Sequence, residues 1–475
     1  MNPFTLIIFG ITSNLSQIKI IPALYDMEEK GLLSGISVLG VARKKQTKKE
    51  FYEYINKVAY LPNVHHKHQI KKEVYERLCR KMSYIDGDLD DPNFYLRLKN
   101  TLAKESNIKS RVFYLAVYPG LYEMVFKHLK KNKLTQQKNG WARLIIEKPL
   151  GFDLKTAKIL NRLLGKYFTA DQVFRLDHYL GKETLQNILT FRFGNGIFEP
   201  LMNSEYVDHI QITATEDFGI GKRGAYYDSV GALIDVGQNH ELQMLALTTM
   251  DAPVEFSSQS LSRQKVKILK SLVPSKVVFG QYDGYTKEES VNPNSTKDTF
   301  YALKTYIDNE RWKDVPIYIR AGKMLKQYVT EIVVVFKNPI NRLFKHLDCG
   351  EEPNILIYRI QPNEGVVLKI VAKKPGQETE LEPSYMQFCY KINPEGHFFP
   401  DPYERLLLDA IKGDQTFFND AEEVEAEWAF VDPLVSTRGK PHIYKPGSWG
   451  PKEADELIEK DGRAWLEPSM DFCRI

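Results

Sequence analysis

The chain has 475 residues, 43% of them hydrophobic and 27% charged, ordinary proportions for a globular protein with room for a sizeable core. Lys plus Arg number 65 and Asp plus Glu 61, a formal net charge of +4, too balanced for a dedicated nucleic-acid binder. Collagen-like, disordered and disulfide-scaffold compositions are excluded as well.

The opening MNPFTLIIFG has no basic n-region, and its apolar run is too short for a signal peptide. No stretch approaches the ~20 apolar residues of a membrane span. Residues 5–9 predict a buried strand, followed by Gly10 and a turn, then a helix over 15–30. Further strands are predicted at 36–41, 112–116, 144–146 and 173–176. Short apolar runs alternating with helical patterns signal βαβ units. Residues 1–180 are therefore expected to form a doubly wound, Rossmann-like dinucleotide-binding domain.

Beyond about residue 200 the texture becomes β-rich, with turn signals in place of long helices. Strands are predicted at 300–307, 316–320, 332–336, 355–360 and 366–371, with turns at Asn-Pro 338–339 and Pro-Asn 362–363. Residues 181–475 are expected to be an α+β domain on a mostly antiparallel sheet, one face covered by helices at 238–250 and 402–412. Cys79, Cys349, Cys389 and Cys473 form no CxxC pair. Reduced thiols in a cytoplasmic protein are expected, with neither a zinc site nor a disulfide framework.

Several segments carry chemistry. The strand–Gly10-Ile11-Thr12-Ser13-Asn14-Leu15–helix run has the geometry of a dinucleotide turn, with helix-start N–H groups facing a pyrophosphate. The full G-x-G-x-x-G is absent, so a plain strand–turn–helix stays open. After the second strand the chain reads Ala42-Arg43-Lys44-Lys45. Arg43 stands where an NAD protein places an acid and suits a 2′-phosphate, which points to NADP. A solvated basic face through Lys48 and Lys49 is the alternative. RLDHYLGKE at 175–183 groups Asp177, His178, Tyr179 and Lys182, with His178 and Lys182 at i, i+4, as a candidate anion pocket. Asp235 and His240 lie in DVGQNH, and a His oriented by an Asp is the usual general base near neutral pH. His65, His66 and His68 are read as a solvated helix start, and the basic run 127–133 as a wet helix face.

Taken together these residues resemble the glucose-6-phosphate dehydrogenase family. RLDHYLGKE, IEKP at 146–149, QNH at 238–240, NERW at 309–312 and IQPNE at 360–364 look like its motifs. So do YERLLLD at 403–409, GDQT at 413–416 and GSWGP at 447–451. The resemblance implies oxidation of C1 of glucose 6-phosphate with NADP, by a homodimer or homotetramer and with no metal. It implies His240 as the base and Asp177 as its orienting carboxylate. His178, Tyr179 and Lys182 would grip the phosphate, while Lys19, Lys148, Glu216, Asp235 and Lys323 would meet the rest of the substrate. Gly10, Thr12, Ser13, Asn14, Leu15, Arg43 and Lys148 would hold the cofactor.

The chain departs from the family pattern at Ser13 and Asn14, where Gly and Asp are usual. Ser13 is expected to crowd the pyrophosphate or to force an awkward backbone angle, weakening NADP binding. Ile234 and Tyr328 replace basic residues, which opens the choice of sugar phosphate. Uncharged Val329 and Val333 argue against an additional structural NADP site. A non-catalytic sugar-phosphate or NADP sensor, and a related dehydrogenase with a different sugar phosphate, are the alternatives.

Overall fold

The computed structural model describes residues 3–59, 70–104, 108–137, 140–338, 343–344, 346–347, 352–376, 379–390 and 400–473. The chain divides into two compact units. The first comprises Met1–Gly151, Lys155–Gly181 and Phe398–Ala421. Its sheet contains β1 (Phe4–Phe9), β2 (Ile36–Ala42), β3 (Met82–Asp86), β4 (Ser110–Leu115), β5 (Ala142–Glu147) and β6 (Val173–Leu176). Their order is β3-β2-β1-β4-β5-β6, and every pairing is parallel. This is the doubly wound arrangement, in which ligands bind outside the carboxyl ends of the strands where the order reverses. β1 reads FTLIIF and is buried at all six positions; a strand covered on both faces shows a continuous apolar run rather than alternation. β3 escaped the sequence reading because only Met82 of its five residues is buried.

The helix predicted over 15–30 starts as a π-helical turn, Ser16–Ile20, and continues as an α-helix, Ile21–Glu29. The Ile21 N–H reaches back to Ser16 O, and Pro22 next to it has no N–H with which to close an ordinary α turn. In the helix Tyr122–Lys131, Tyr122, Val125, Phe126 and Leu129 are buried, a 3–4 spacing that defines one inward face. Lys127, Lys130 and Lys131 are exposed, as expected of a wet face.

The helix Pro402–Lys412 is bounded by signals legible in sequence. Asp401 accepts the Tyr403 N–H at 2.9 Å, Pro402 opens the first turn, and Gly413 closes it at φ +87°. Its placement differs from the expectation: it packs within the first unit, not on the second sheet. Lys30 bonds both carboxylate oxygens of buried Glu404 at 2.7 and 2.8 Å, and the Arg143 guanidinium caps Ala410 O at 3.0 Å and Ile411 O. Amphipathicity shows that a helix face is covered but not which sheet covers it, and buried Glu404 goes where a cation awaits it.

The second unit comprises Phe152–Leu154, Lys182–His397 and Glu422–Ile475. Its strands are β7 (Val207–Thr215), β8 (Leu272–Tyr282), β9 (Phe300–Ile307), β10 (Ile317–Gly322), β11 (Val329–Phe336), β12 (Ile355–Gln361), β13 (Gly365–Lys373), β14 (Leu381–Cys389) and β15 (His442–Tyr444). They run β14-β13-β12-β11-β7-β10-β9-β8-β15. Pairings are antiparallel except β7–β10 and β8–β15. All five predicted strands are present, as β9 to β13. The Pro-Asn turn at 362–363 joins β12 to β13, with Asn363 at φ +57°, whereas Pro339 lies outside the described residues, as do His65, His66 and His68.

Glu331 on β11 and Arg359 on β12 face each other in register and are almost wholly buried, with Arg359 Nε donating to Glu331 at 2.9 Å. The C-terminal segment crosses this sheet. Leu466 N–H bonds Gln211 of β7 at 2.9 Å, Ser469 O accepts from Arg359 at 2.9 Å, and Cys473 N–H meets Gln387 of β14 at 3.1 Å. Cys473 then forms a disulfide with Cys389. This corrects the expectation of reduced thiols: 84 residues separate the pair in sequence, and only the crossing of the tail brings them together. Cys79 is a buried free thiol, and Cys349 lies outside the described residues. No described helix is long and apolar enough to cross a membrane.

Removing one partner of a buried ion pair strands the other charge. Glu331→Ala is expected to lower the unfolding free energy by about 3–5 kcal/mol in urea denaturation; a loss below ~1 kcal/mol would show that the pair is not what holds β11 to β12.

Candidate active site

In the first unit the candidate residues gather at the carboxyl ends of the strands. After β1 the chain turns at Gly10, φ +84°, where a Cβ would lie 2.4 Å from Ala116 O; only glycine fits this approach. Ser13 does not adopt a left-handed backbone, so the expected strain is absent. Its Oγ instead accepts the Ser16 N–H at 3.2 Å, and Ser16 Oγ donates to Gly10 O at 2.8 Å. The two serines thus brace the turn from within. Thr12 and Leu15 are half-buried, Asn14 is exposed, and Arg43 is exposed immediately beyond β2. The cradle at Gly10 suits a dinucleotide, with Thr12, Ser13, Asn14 and Leu15 at the helix start.

β5 ends at Glu147, followed by Lys148 and a cis bond to Pro149. Glu147 is buried and accepts the hydroxyls of Tyr114 on β4 and Tyr403. Burial pushes its carboxyl up to about 7, assisted by the nearby Asp177 charge and opposed by the hydroxyl bonds and Lys148. The Tyr403 ring stacks on His178 at 6.0 Å and lies 5.9 Å from the Lys19 ammonium. Tyr403 therefore joins Lys19, Glu147 and His178, a role the sequence reading missed although it quoted the surrounding motif. Asp177 is 3% exposed and accepts the Tyr179 N–H at 2.9 Å. The expected helical face shared by His178 and Lys182 does not form. His178–Gly181 is a 3₁₀ turn, and Lys182 is extended before the helix Glu183–Phe193 begins. Gly181 comes so near Pro402 that a Cβ would lie 2.7 Å from its carbonyl oxygen.

In the second unit, a π-helical segment, Leu233–Glu241, runs into the α-helix Leu242–Thr249. It starts before the predicted 238, so His240 lies inside a widened helix, a form common at functional sites. Its first N–H groups are met by Asp298, whose Oδ2 accepts from Leu233 at 2.9 Å and whose Oδ1 pairs with Arg438 at 2.7 Å. His240 is 2% exposed, and its N–H is bonded by Asn239 Oδ1 at 2.7 Å. Asp235 accepts from Arg223 at 3.3 Å and from the Tyr226 hydroxyl at 3.4 Å. Arg223 thereby provides the cation that Ile234 does not.

Lys323, just beyond β10, is buried and ion-paired with Glu216 beyond β7. Its ammonium lies 5.4 Å from the Phe218 ring and 5.3 Å from that of Tyr227, a cation–π setting that suits a desolvated lysine. Lys182 donates to Gln361 Oε1 at the end of β12. Tyr328 packs on Phe218 at 6.0 Å and bonds Gln361. Burial, with Glu216, Glu364 and Asp217 nearby, raises its hydroxyl to about 12. Arg223, Phe218, Tyr227 and Gln361 were not singled out in sequence; only the position of Gln361 in IQPNE, closing a predicted strand, hinted at it.

The folded chain holds the Glu147 proton to about pH 7, whereas an unfolded chain gives it up near pH ~4.3. Stability is therefore lost as pH rises through that window. Glu147→Gln stays neutral and is expected to gain roughly 1–3 kcal/mol on the wild type between about pH 5 and about pH 8 in urea denaturation. A constant difference between the two proteins would show that Glu147 titrates normally.

Two family models cover nearly all of this architecture. "Glucose-6-phosphate dehydrogenase, NAD binding domain" matches residues 7–187, and "Glucose-6-phosphate dehydrogenase, C-terminal domain" matches 189–466. The glucose-6-phosphate 1-dehydrogenase of Chlamydia muridarum is 40% identical over 98% of this chain and 96% of its own. The crystal structure of the Mycobacterium avium glucose-6-phosphate 1-dehydrogenase superposes with a TM-score of 0.88 at 33% identity, covering 99% of both chains. A glucose-6-phosphate dehydrogenase in complex with its substrate gives 0.89 at 34% identity, over 98% of this chain and 99% of that one. On its fold, its strand-end residues and its full-length similarity, the chain belongs to the glucose-6-phosphate dehydrogenase family.

Proposed function

We propose that this chain oxidises C1 of β-D-glucose 6-phosphate to 6-phosphogluconolactone with NADP, the first oxidative step of the pentose phosphate pathway. The observation that carries this reading is the set of held cations and buried polar groups in the second unit. Lys182 and Lys323 are each fixed by a polar partner, and His240 and Asp235 lie on one buried helix. Such a set of groups suits a phosphorylated polyol, whose phosphate needs charge-assisted donors and whose hydroxyls need acceptors.

His240 takes the proton of the C1 hydroxyl on its imidazole, and Asp177 orients that ring and balances its charge. His178, Tyr179 and Lys182 hold the phosphate. Because the phosphate takes no part in the chemistry, its binding energy is free to place C1. Glu216 and Asp235 accept from sugar hydroxyls, their charges balanced by Lys323 and Arg223, while Lys19, Lys148 and Lys323 supply donors. No metal is called for, since a hemiacetal carbon releases hydride readily once its hydroxyl is deprotonated. Bound NADP supplies the hydride acceptor. Gly10, Thr12, Ser13, Asn14 and Leu15 hold its pyrophosphate, Arg43 its 2′-phosphate, and Lys148 serves both ligands.

Residues 1–180 thus bind cofactor and lend Lys19, Lys148, Asp177, His178 and Tyr179 to the substrate, while 181–475 supply the other substrate groups and carry self-association into a homodimer or homotetramer in the cytoplasm. The outer strand β14, which exposes Tyr385, Met386 and Phe388, supports self-association, since an open apolar sheet edge invites pairing.

Purified protein with glucose 6-phosphate and NADP is expected to reduce the nicotinamide, followed by absorbance. His240→Asn is expected to lower kcat by about 10²–10⁴ with cofactor affinity unchanged; binding of both ligands without turnover by the wild type would point to the sensor. Arg43→Ala is expected to raise KM for NADP about tenfold and to leave NAD unaffected. Equal effects on the two cofactors would remove Arg43 from the 2′-phosphate site.

A further inference from the structure

Glu241 follows His240 directly and is fully buried, and its Oε1 has no partner among the described residues. Its Oε2 accepts the hydroxyl of Tyr301 on β9. Burial alone drives its carboxyl far above the ordinary glutamate range, which favours the uncharged form. Lys265, also buried beneath this helix, is committed to Glu423 at 2.7 Å and Gln243 at 3.0 Å. A leucine would fill a core position at lower desolvation cost. What the acid adds is its bond to Tyr301.

The Tyr301 hydroxyl touches the same helix one turn earlier, where a Cβ on Gly237 would come within 2.5 Å of it. The tyrosine therefore presses against 237 and bonds at 241, bracketing the turn that carries Gln238, Asn239 and His240. Tyr301 also pairs across the sheet with Ala321 of β10, two residues before Lys323. One side chain thus refers the His240 turn to the strands that carry Lys323. A π-helical segment is rare and mostly confined to single turns, so a side chain that holds both ends of this turn helps to keep it.

We infer that Glu241 and Tyr301 are positioning residues, a clamp that fixes His240 for proton transfer; the inference rests on the reading of His240 as the base. The clamp needs an acceptor at 241 and a donor at 301, but no charge.

The test combines steady-state kinetics on glucose 6-phosphate and NADP with deuterium uptake by the peptide spanning 233–241. Tyr301→Phe and Glu241→Leu are expected to lower kcat about tenfold at unchanged KM and to raise uptake in that peptide. Glu241→Gln, whose amide oxygen accepts the same bond, is expected to stay within about twofold of the wild type in both readouts. The clamp is overturned if Tyr301→Phe and Glu241→Leu keep full kcat, if KM rises instead, or if Glu241→Gln fails as badly as Glu241→Leu. Turnover persisting in His240→Asn would remove the base assignment alone. In that case unchanged uptake in Tyr301→Phe would still overturn the clamp, and raised uptake would uphold its bracing of the 233–241 turn while its part in proton transfer falls with the base.

Discussion

A helix whose polar residues are buried must find a partner for nearly every one of them, and the segment Leu233–Glu241 imposes that demand on the whole second unit. Asp235, Gln238, Asn239, His240 and Glu241 are all almost inaccessible to water, and a buried polar group without a partner is costly. The unit meets the demand from several directions. Asp298, itself balanced by Arg438, takes the first N–H groups. Arg223 and Tyr226 reach Asp235, and Glu427 receives Gln238 at 3.4 Å and Gln243 at 2.6 Å. Because these partners come from distant parts of the chain, the helix is locked only when the unit is folded.

The same demand explains the arrangement of charge. A net charge of +4 conceals a chain in which the important cations are paired before any ligand arrives. Lys323 has Glu216, Arg223 has Asp235, Lys265 has Glu423 and Arg359 has Glu331. Arg43 is exposed just beyond β2, where it meets solvent, and Arg223 is exposed too but is held by Asp235. Pairing restricts the positions of these cations, which suits ligands recognised through phosphate oxygens.

The sheets were legible to different degrees, for physical reasons. β1 stands out as an unbroken run of apolar or β-branched residues bounded by turn residues, and β9 as such a run interrupted only by Lys304. β3, β7, β8, β14 and β15 do not, since their burial comes from neighbours far away in sequence. β14 shows this most clearly, with Tyr385, Met386 and Phe388 exposed on an outer strand. The site was legible wherever one short motif carried several functional groups, as at 175–183 and 235–240. It was not legible where a residue acts through a distant contact. Nothing near Tyr403 indicates Glu147, nothing near Ile234 indicates Arg223, and Cys389 and Cys473 meet only because the tail crosses the sheet. The helix Pro402–Lys412 shows the same limit: its ends are written in Asp401, Pro402 and Gly413, but its destination is not.

That destination orders the assembly of the protein in time. The described strands of the first unit, β1 to β6, leave the ribosome before the described strands of the second, yet the helix Pro402–Lys412 of the first unit emerges only after β7 to β14. Until then Lys30 and Arg143 lack Glu404 and the carbonyls of 410 and 411, and the Tyr403 ring beside Lys19 and His178 has not been made. Domains of a growing chain ordinarily fold in order from the N-terminus. Here the two units are begun one after the other, but the first is completed only once most of the second has been made, so a partial chain leaving the ribosome early carries the Gly10 turn without the ring that joins Lys19, Glu147 and His178.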